Sequence, residues 1–257
     1  MRWIQMMVTA LLFAVVPGTL VAEETGPQRV SVITIEVKPG TQGVFETFVK
    51  KFKAAADSVE NAPNWFASSP GIGSNTTYTF AQPFVSYAEL FQDRNILAEV
   101  YEPAEIEEIM AMARSSMLSS DSAVYVHRPD LSRSFPETDK PPVVTLFIGF
   151  QIHEGKSGQF ENFLRRVVEA TDKVAPDLHW ESYMGAIAAD LDYGVRIPMW
   201  DAADLDVQPM GVKERLVEAF GKREGERLFE SGQAAIDHVQ DGVSRMRPDL
   251  SHVNSAE

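Results

Sequence analysis

The sequence predicts an α+β protein in which one βαββαβ module is written twice, and three observations carry that prediction. First, Val37-Lys-Pro-Gly40-Thr-Gln-Gly43-Val-Phe45-Glu46-Thr-Phe48 lines up with Ile152-His-Glu-Gly155-Lys-Ser-Gly158-Gln-Phe160-Glu161-Asn-Phe163 at an offset of 115 residues. Second, the same offset runs downstream without a gap, pairing Trp65 with Trp180, Tyr78 with Tyr193, Pro83 with Pro198, Ala88 with Ala203 and Leu90 with Leu205. Third, Arg128-Pro-Asp-Leu-Ser132 recurs as Arg247-Pro-Asp-Leu-Ser251 at an offset of 119, so the second copy carries four extra residues before that motif.

Each copy opens on a run rich in β-branched and aromatic residues, Val30 to Val37 and Val143 to Ile152, which reads as a strand. Gly40 and Gly155 punctuate the next turn. Val44, Phe48 and Phe52, and likewise Phe160, Phe163 and Val167, then recur at helical spacing opposite charged positions, giving one amphipathic helix per copy. Two strands are predicted next, around Trp65 and over 77–84 in the first copy and over 178–187 and 193–200 in the second. Pro70 to Asn75 and Ala189 to Asp192 read as the joining loops. A second helical region covers about 104–118, and a longer one covers 212 to about 239. Each copy closes near Val124-Tyr-Val126 or Val243 to Met246, as a short edge strand or a continued helix. Repeat 1 is thus read as 28–133, repeat 2 as 143–252, and the proline-bearing segment 134–142 as a linker.

The 257 residues, 44% of them hydrophobic, supply enough apolar material for packed cores. A formal charge of −14 repels phosphate backbones and anionic headgroups, so nucleic acid is excluded as a partner. The absence of cysteine excludes disulfides, thiolate metal sites and a cysteine nucleophile. Arg2, the apolar stretch Met6 to Val16, the break at Pro17-Gly18 and the small-residue site Leu20-Val21-Ala22 read as a signal peptide over 1–22, placing the mature chain in a bacterial periplasm or outside the cell. The alternative is an uncleaved anchor over Trp3 to Ala22. No later stretch is apolar enough to cross a bilayer, so no stable membrane insertion is expected once the leader is removed.

The order strand, helix, strand, strand, helix, strand, led by V-x-P-G-x-x-x-x-F-E-x-F, resembles the dimeric α+β barrel superfamily of the antibiotic-biosynthesis monooxygenases over residues 28–252. The resemblance implies two ferredoxin-like modules forming an internal pseudo-dimeric α+β barrel. That superfamily includes cofactor-free oxygenases, haem enzymes, isomerases and small-molecule binders, so fold alone does not choose among them.

Duplication supplies a test of its own, because residues kept in both copies hold the fold while those that differ are free to hold a site. Trp65/Trp180, Tyr78/Tyr193, Pro83/Pro198 and the Arg-Pro-Asp-Leu-Ser motif fall in the first class, the motif as an arginine–carboxylate or capping interaction that locks the end of its module. In the second class, His179 stands where the first copy has Asn64, Glu181 replaces Phe66, Tyr183 replaces Ser68, Arg196 replaces Ala81 and Trp200 replaces Val85. On a strand, positions 179, 181 and 183 point to one face, where an imidazole, a carboxylate and a phenol could do acid–base work or hold a ligand. The bland alternative is a polar edge facing water.

His179-x-Glu181 lacks the further ligands of a metal site, and none is assigned. No cofactor is assigned either; the resemblance admits a haem, for which His127, His153, His179, His238 and His252 are formally available, with His127 at a strand terminus and His238 on the second helix. Neither a phosphate loop nor a G-x-S-x-G elbow is present. The leading functional expectation is binding of a small apolar or aromatic molecule in a pocket between sheet and helices of repeat 2. An oxygenase-type enzyme, or a structural protein without a site, are the alternatives.

Overall fold

The computed structural model describes residues 28–92, 94–135, 140–207 and 209–254, so the leader read over 1–22 lies outside the described residues. The described residues form two compact units, one within 28–124 and 246–254 and the other within 125–245.

In unit 1, β1 (Arg29–Val37) leads through the turn at Gly40 into α1 (Gln42–Ala56), followed by β2 (Phe66–Pro70) and β3 (Thr77–Phe84). Short helices α2 (Tyr87–Leu90) and α3 (Ile96–Val100) precede α4 (Pro103–Ser116), and β4 (Met117–His127) comes directly after, with its residues from Tyr125 onward counted in unit 2. β3 pairs antiparallel with both β1 and β2, Val32 standing opposite Ala81 and Ala67 opposite Phe80. α1 buries Phe45, Phe48, Val49, Phe52, Ala55 and Ala56, a stripe at helical spacing that packs on Tyr78 and Phe80 of β3. Each buried phenylalanine contributes about 2 kcal/mol by leaving water. α4 starts with Pro103 in its first turn, and the Glu105 carboxylate accepts from the Glu102 backbone N–H at 3.2 Å.

In unit 2, β5 (Val144–Ile152) turns through Gly155 into α5 (Ser157–Val174), followed by β6 (Glu181–Ile187) and β7 (Tyr193–Met199). α6 (Val212–Phe220) and α7 (Lys222–Gln233) lead to β8 (Ile236–Met246). The strands lie in the order β8, β5, β7, β6, all antiparallel. α5 buries Phe160, Phe163, Leu164, Val167, Ala170 and Thr171 against Trp180, Tyr193 and Val195. Gly40 and Gly155 hold φ of 85° and 76°, the left-handed geometry that closes the equivalent turns.

Several expectations are corrected. Phe48 and Phe52 face inward as expected, but Val44 is 41% exposed and the fully buried Phe45 takes its place in the stripe. The long helix read over 212–239 is two helices, broken at Gly221, whose φ of 82° ends α6. The close of the second copy is no edge fragment but an 11-residue strand, β8, which places His238 on a strand opposite Gln151 and not on a helix. His127 does end β4. Pro70 belongs to β2, not to the loop after it.

The compact units also do not match the repeat boundaries read from the sequence. Residues 125–133, read as the end of repeat 1, lie in unit 2, and residues 246–252, read as the end of repeat 2, lie in unit 1. The physical reason is the Arg-Pro-Asp-Leu-Ser motif. In unit 2 the Trp180 indole N–H donates to Leu131 O at 2.9 Å, and Ser132 Oγ accepts from Ser182 N at 2.8 Å. In unit 1 the Trp65 indole N–H donates to Leu250 O at 2.8 Å, and Ser251 Oγ accepts from Ala67 N at 2.8 Å. Each copy of the motif therefore closes the unit built by the other repeat.

Candidate functional site

Alternation along the strands of unit 2 gives its sheet two distinct faces. Tyr193 and Val195 of β7 and Met184 of β6 pack into the helix-side core, so Gly194, Arg196, Glu181 and Tyr183 project from the other side. Register makes neighbours of them: Glu181 stands opposite Arg196, Tyr183 opposite Gly194 and Phe147 of β5 opposite Arg196.

On this helix-free face Arg196 Nη1 donates to Glu181 Oε2 at 2.9 Å, and the Tyr183 hydroxyl donates to the same oxygen at 3.1 Å. Burial, reinforced by the Glu181 charge, pushes the Tyr183 phenol up to about 12, so it stays a protonated donor. The His127 ring lies 5.3 Å from the Tyr183 ring. Burial holds the His127 pKa below its usual value against the opposing pull of Glu181, which keeps the imidazole neutral near pH 7. Its Nε2 is 3.4 Å from Ser132 Oγ, whose own hydrogen is committed to Arg128 O at 2.7 Å. The hydroxyl can then only accept from the ring, which puts the proton on Nε2 and leaves a lone pair on Nδ1.

The Phe147 ring fills the space above Gly194, where an added Cβ would meet it at 2.9 Å. Farther along, Leu191 is buried over Gly149. The result is an aromatic floor flanked by a guanidinium–carboxylate pair, a phenol and a neutral imidazole.

Of the five residues singled out from the sequence, Glu181, Tyr183 and Arg196 are brought together. His179 and Trp200 are not in this cluster. The isolated bridge between Trp180 and Arg133 lies just ahead of β6, which begins at Glu181, so His179 falls outside the strand. His179 Nδ1 is instead 2.7 Å from Ser134 O, the Trp200 indole donates to Lys140 O at 2.7 Å, and the Phe135 ring packs 5.5 Å from each of their rings. Both side chains anchor the ends of the linker. The pocket expected between sheet and helices is also corrected, because the middle of that layer is filled by Phe160, Phe163, Leu164 and Tyr193.

Phe147 was not singled out from the sequence, and His127 only as a formally available haem ligand. The same divergence test would have found them, since the first-repeat residues at the two offsets are Val32 for Phe147 and, for His127, Met246 in the second copy. Among the described residues no group of three or more His, Asp or Glu side chains is placed to hold a metal ion, and no helix is long and apolar enough to cross a membrane.

No family model and no curated protein matches the sequence. Solved structures do match the fold. A candidate monooxygenase of Fusobacterium nucleatum subsp. nucleatum aligns with a TM-score of 0.54 at 10% identity, covering 86% of this chain and 93% of the other. A candidate chlorite dismutase aligns with a TM-score of 0.53 at 12% identity, covering 87% and 96%. The fold is the dimeric α+β barrel. A candidate monooxygenase of Lactobacillus acidophilus shares this barrel fold, with a TM-score of 0.50 at 7% identity over 88% of this chain and 96% of the other. Identities this low carry the fold and leave activity to be argued from the residues themselves.

Proposed function

We propose that unit 2 binds a small, largely apolar or aromatic molecule carrying one polar group, on the helix-free face of its sheet, and that the protein does so outside the cytoplasm. The observation that supports this reading most is the Arg196–Glu181–Tyr183 network beside the Phe147 ring. An aromatic body stacks on the floor while its hydroxyl or carbonyl exchanges hydrogen bonds with Tyr183, Arg196 or His127. Unit 1 presents Phe66, Ser68 and Ala81 at the matching positions and lacks this set. Export rests on the sequence of residues 1–22, and an intact mass of the protein from its native host lacking those residues tests it.

A second reading, an oxygenase-type enzyme, is favoured by the neutral His127, whose Nδ1 lone pair is suited to accept a proton from a bound phenol or acidic C–H group. The two solved structures described as candidate monooxygenases lend it fold-level support. No haem is assigned in this reading. His127 packs on Tyr183, His179 on Phe135, and His252 on Trp65 and Asp57, while His153 pairs with Asp237 at an exposed turn and His238 is exposed on β8. No step is therefore routed through one.

Titration of the full chain with 1-naphthol, monitored by protein fluorescence, tests binding. Saturable quenching that weakens at least about tenfold in Arg196→Met and Tyr183→Phe, with unfolding temperatures unchanged, is the expected result. Equal binding by the variants would remove the site. Consumption of dioxygen with 1-naphthol by wild type, lost in His127→Gln, would select the enzyme reading.

A further inference from the structure

On the opposite side of the same sheet, at the Trp180 end of the helix layer, unit 2 buries a charge it does not neutralise. Arg215 of α6 is only 8% exposed. Its Nη1 donates to Thr171 Oγ1 of α5 at 2.9 Å, and its guanidinium lies 5.8 Å from the Trp180 ring. Nε is buried without a partner, and among the described residues no carboxylate lies within ion-pair distance. Burial lowers the Arg215 pKa, and the nearby like charge of Arg133 lowers it further. Asp172, the obvious counter-ion, is held by Arg133 at 2.8 Å.

Unit 1 shows that the fold needs no cation here. At the offset of 119 that relates Arg128 to Arg247, Leu216 corresponds to Leu97 and Arg215 to Ile96; at the offset of 115, Thr171 corresponds to Ala56 and Trp180 to Trp65. Ile96 is 1% exposed and Ala56 fully buried, an apolar solution to the same packing problem. Arg133 corresponds to His252, which pairs with Asp57 just as Arg133 pairs with Asp172. Unit 2 has therefore kept the shared contact to this aspartate and added one unpaired guanidinium. An unneutralised buried charge is destabilising, and packing alone gives no reason for it.

We propose that Arg215 is the buried counter-charge of a second ligand site, one that takes an organic monocarboxylate with an apolar body between α5 and α6. With Nη1 engaged by Thr171, the edge formed by Nε and Nη2 makes no hydrogen bond among the described residues, and that edge meets both oxygens of a carboxylate in parallel. Trp180, Val167 and Leu216 offer the ligand's carbon skeleton an apolar wall. α6 is a nine-residue helix bounded by Gly211 and Gly221, which makes it the element that yields on entry. The site lies across the sheet from the Glu181 cluster and stands or falls independently of it.

Thermal unfolding of the full chain with sodium octanoate, sodium benzoate or sodium chloride at matched ionic strength tests the proposal. Octanoate or benzoate should raise the unfolding temperature above chloride, and Arg215→Ile, which copies unit 1, should abolish that rise while leaving the ligand-free protein at least as stable. An equal rise with chloride would make the site an inorganic-anion site and overturn the carboxylate assignment. A rise that survives in Arg215→Ile, or no rise in wild type, would overturn the proposal outright. Should Arg215→Ile fail to fold, the Arg215 Nε–H resonance of wild type, selected by comparison with Thr171→Val, must shift on octanoate addition; if it does not, the site is absent.

Discussion

Arg247 reaches back 201 positions in sequence to hold Glu46 at 2.7 Å, and Tyr78 donates to the same carboxylate oxygen at 2.8 Å. Unit 2 repeats the arrangement, with Arg128 on Glu161 at 2.5 Å and Tyr193 on the same oxygen at 2.9 Å. Each arginine also grips the aspartate two residues on, Asp249 or Asp130, with two hydrogen bonds. Replacing Arg247 with alanine should lower stability by about 2 kcal/mol, because Glu46 is left without its charged donor, and Arg128→Ala should cost less, because Arg165 still donates to Glu161 at 2.9 Å. Adding Glu46→Gln to Arg247→Ala should cost less than the two single losses together, which a double-mutant cycle by denaturant unfolding reads directly.

Acid should open these locks. The Arg128 hydrogen bond holds the Glu161 carboxyl down to about 2 from 4.5, and Asp130 and Asp249 are likewise held to about 2 from 3.8, chiefly by their arginines. A carboxylate whose folded pKa lies below its unfolded one binds fewer protons when folded, so its contribution is complete above the unfolded value and drains away as pH falls from about 4.5 to 2. Glu161→Gln should therefore flatten the fall in stability over that window while lowering stability at pH 7. An unchanged pH slope would show that Glu161 does not carry the effect.

Deleting residues 246–254 should unfasten unit 1 and spare unit 2. Trp65 would lose the acceptor for its indole N–H, and the core would lose the fully buried Leu250. Hydrogen exchange should then show β1, β3 and α1 exchanging fast while β5, β7 and α5 stay protected.

His127 should titrate below the usual histidine range, seen as its ring resonances against pH. Burial lowers its pKa and Glu181 raises it, so Glu181→Gln should move the midpoint lower still. A midpoint that rises in Glu181→Gln would contradict the placement of this carboxylate beside the imidazole.

Gly225 packs α7 against α6 at backbone contact, and a methyl group there would meet the Val217 N and Cα atoms at 2.5 Å. Backbone cannot swing aside as a side chain can. Gly225→Ala should destabilise unit 2 by about 1–3 kcal/mol, read from the urea midpoint, despite alanine's higher helix propensity.

The repeat made much of the architecture legible. The paired tryptophans and tyrosines are buried in both units as their retention implied, and the repeated arginine does lock onto carboxylates. Which carboxylate it meets was not legible, because that partner is set by the chain crossing between units and not by spacing along the repeat. His238 read as helical because the pattern of α7 continues past Gln233 with no proline to stop it; pairing with β5 then draws 236–246 into a strand. The cluster was half legible. Strand alternation placed Glu181 and Tyr183 together, but nothing local showed that β6 begins only at Glu181, and His127 comes from a distant strand whose approach is tertiary.

The crossed closure has an evolutionary consequence. A change at Glu46 must be answered at Arg247, and one at Glu161 at Arg128, so the two halves of the gene are bound to each other's mutational history. Unequal recombination that dropped one repeat would leave an open reading frame with a whole module in sequence, yet that module would have to fasten itself with a clasp that now serves its neighbour. Duplicated copies are usually free to drift apart; these two differ along most of their length, and what both keep includes the tryptophan, tyrosine and arginine contacts that close each unit.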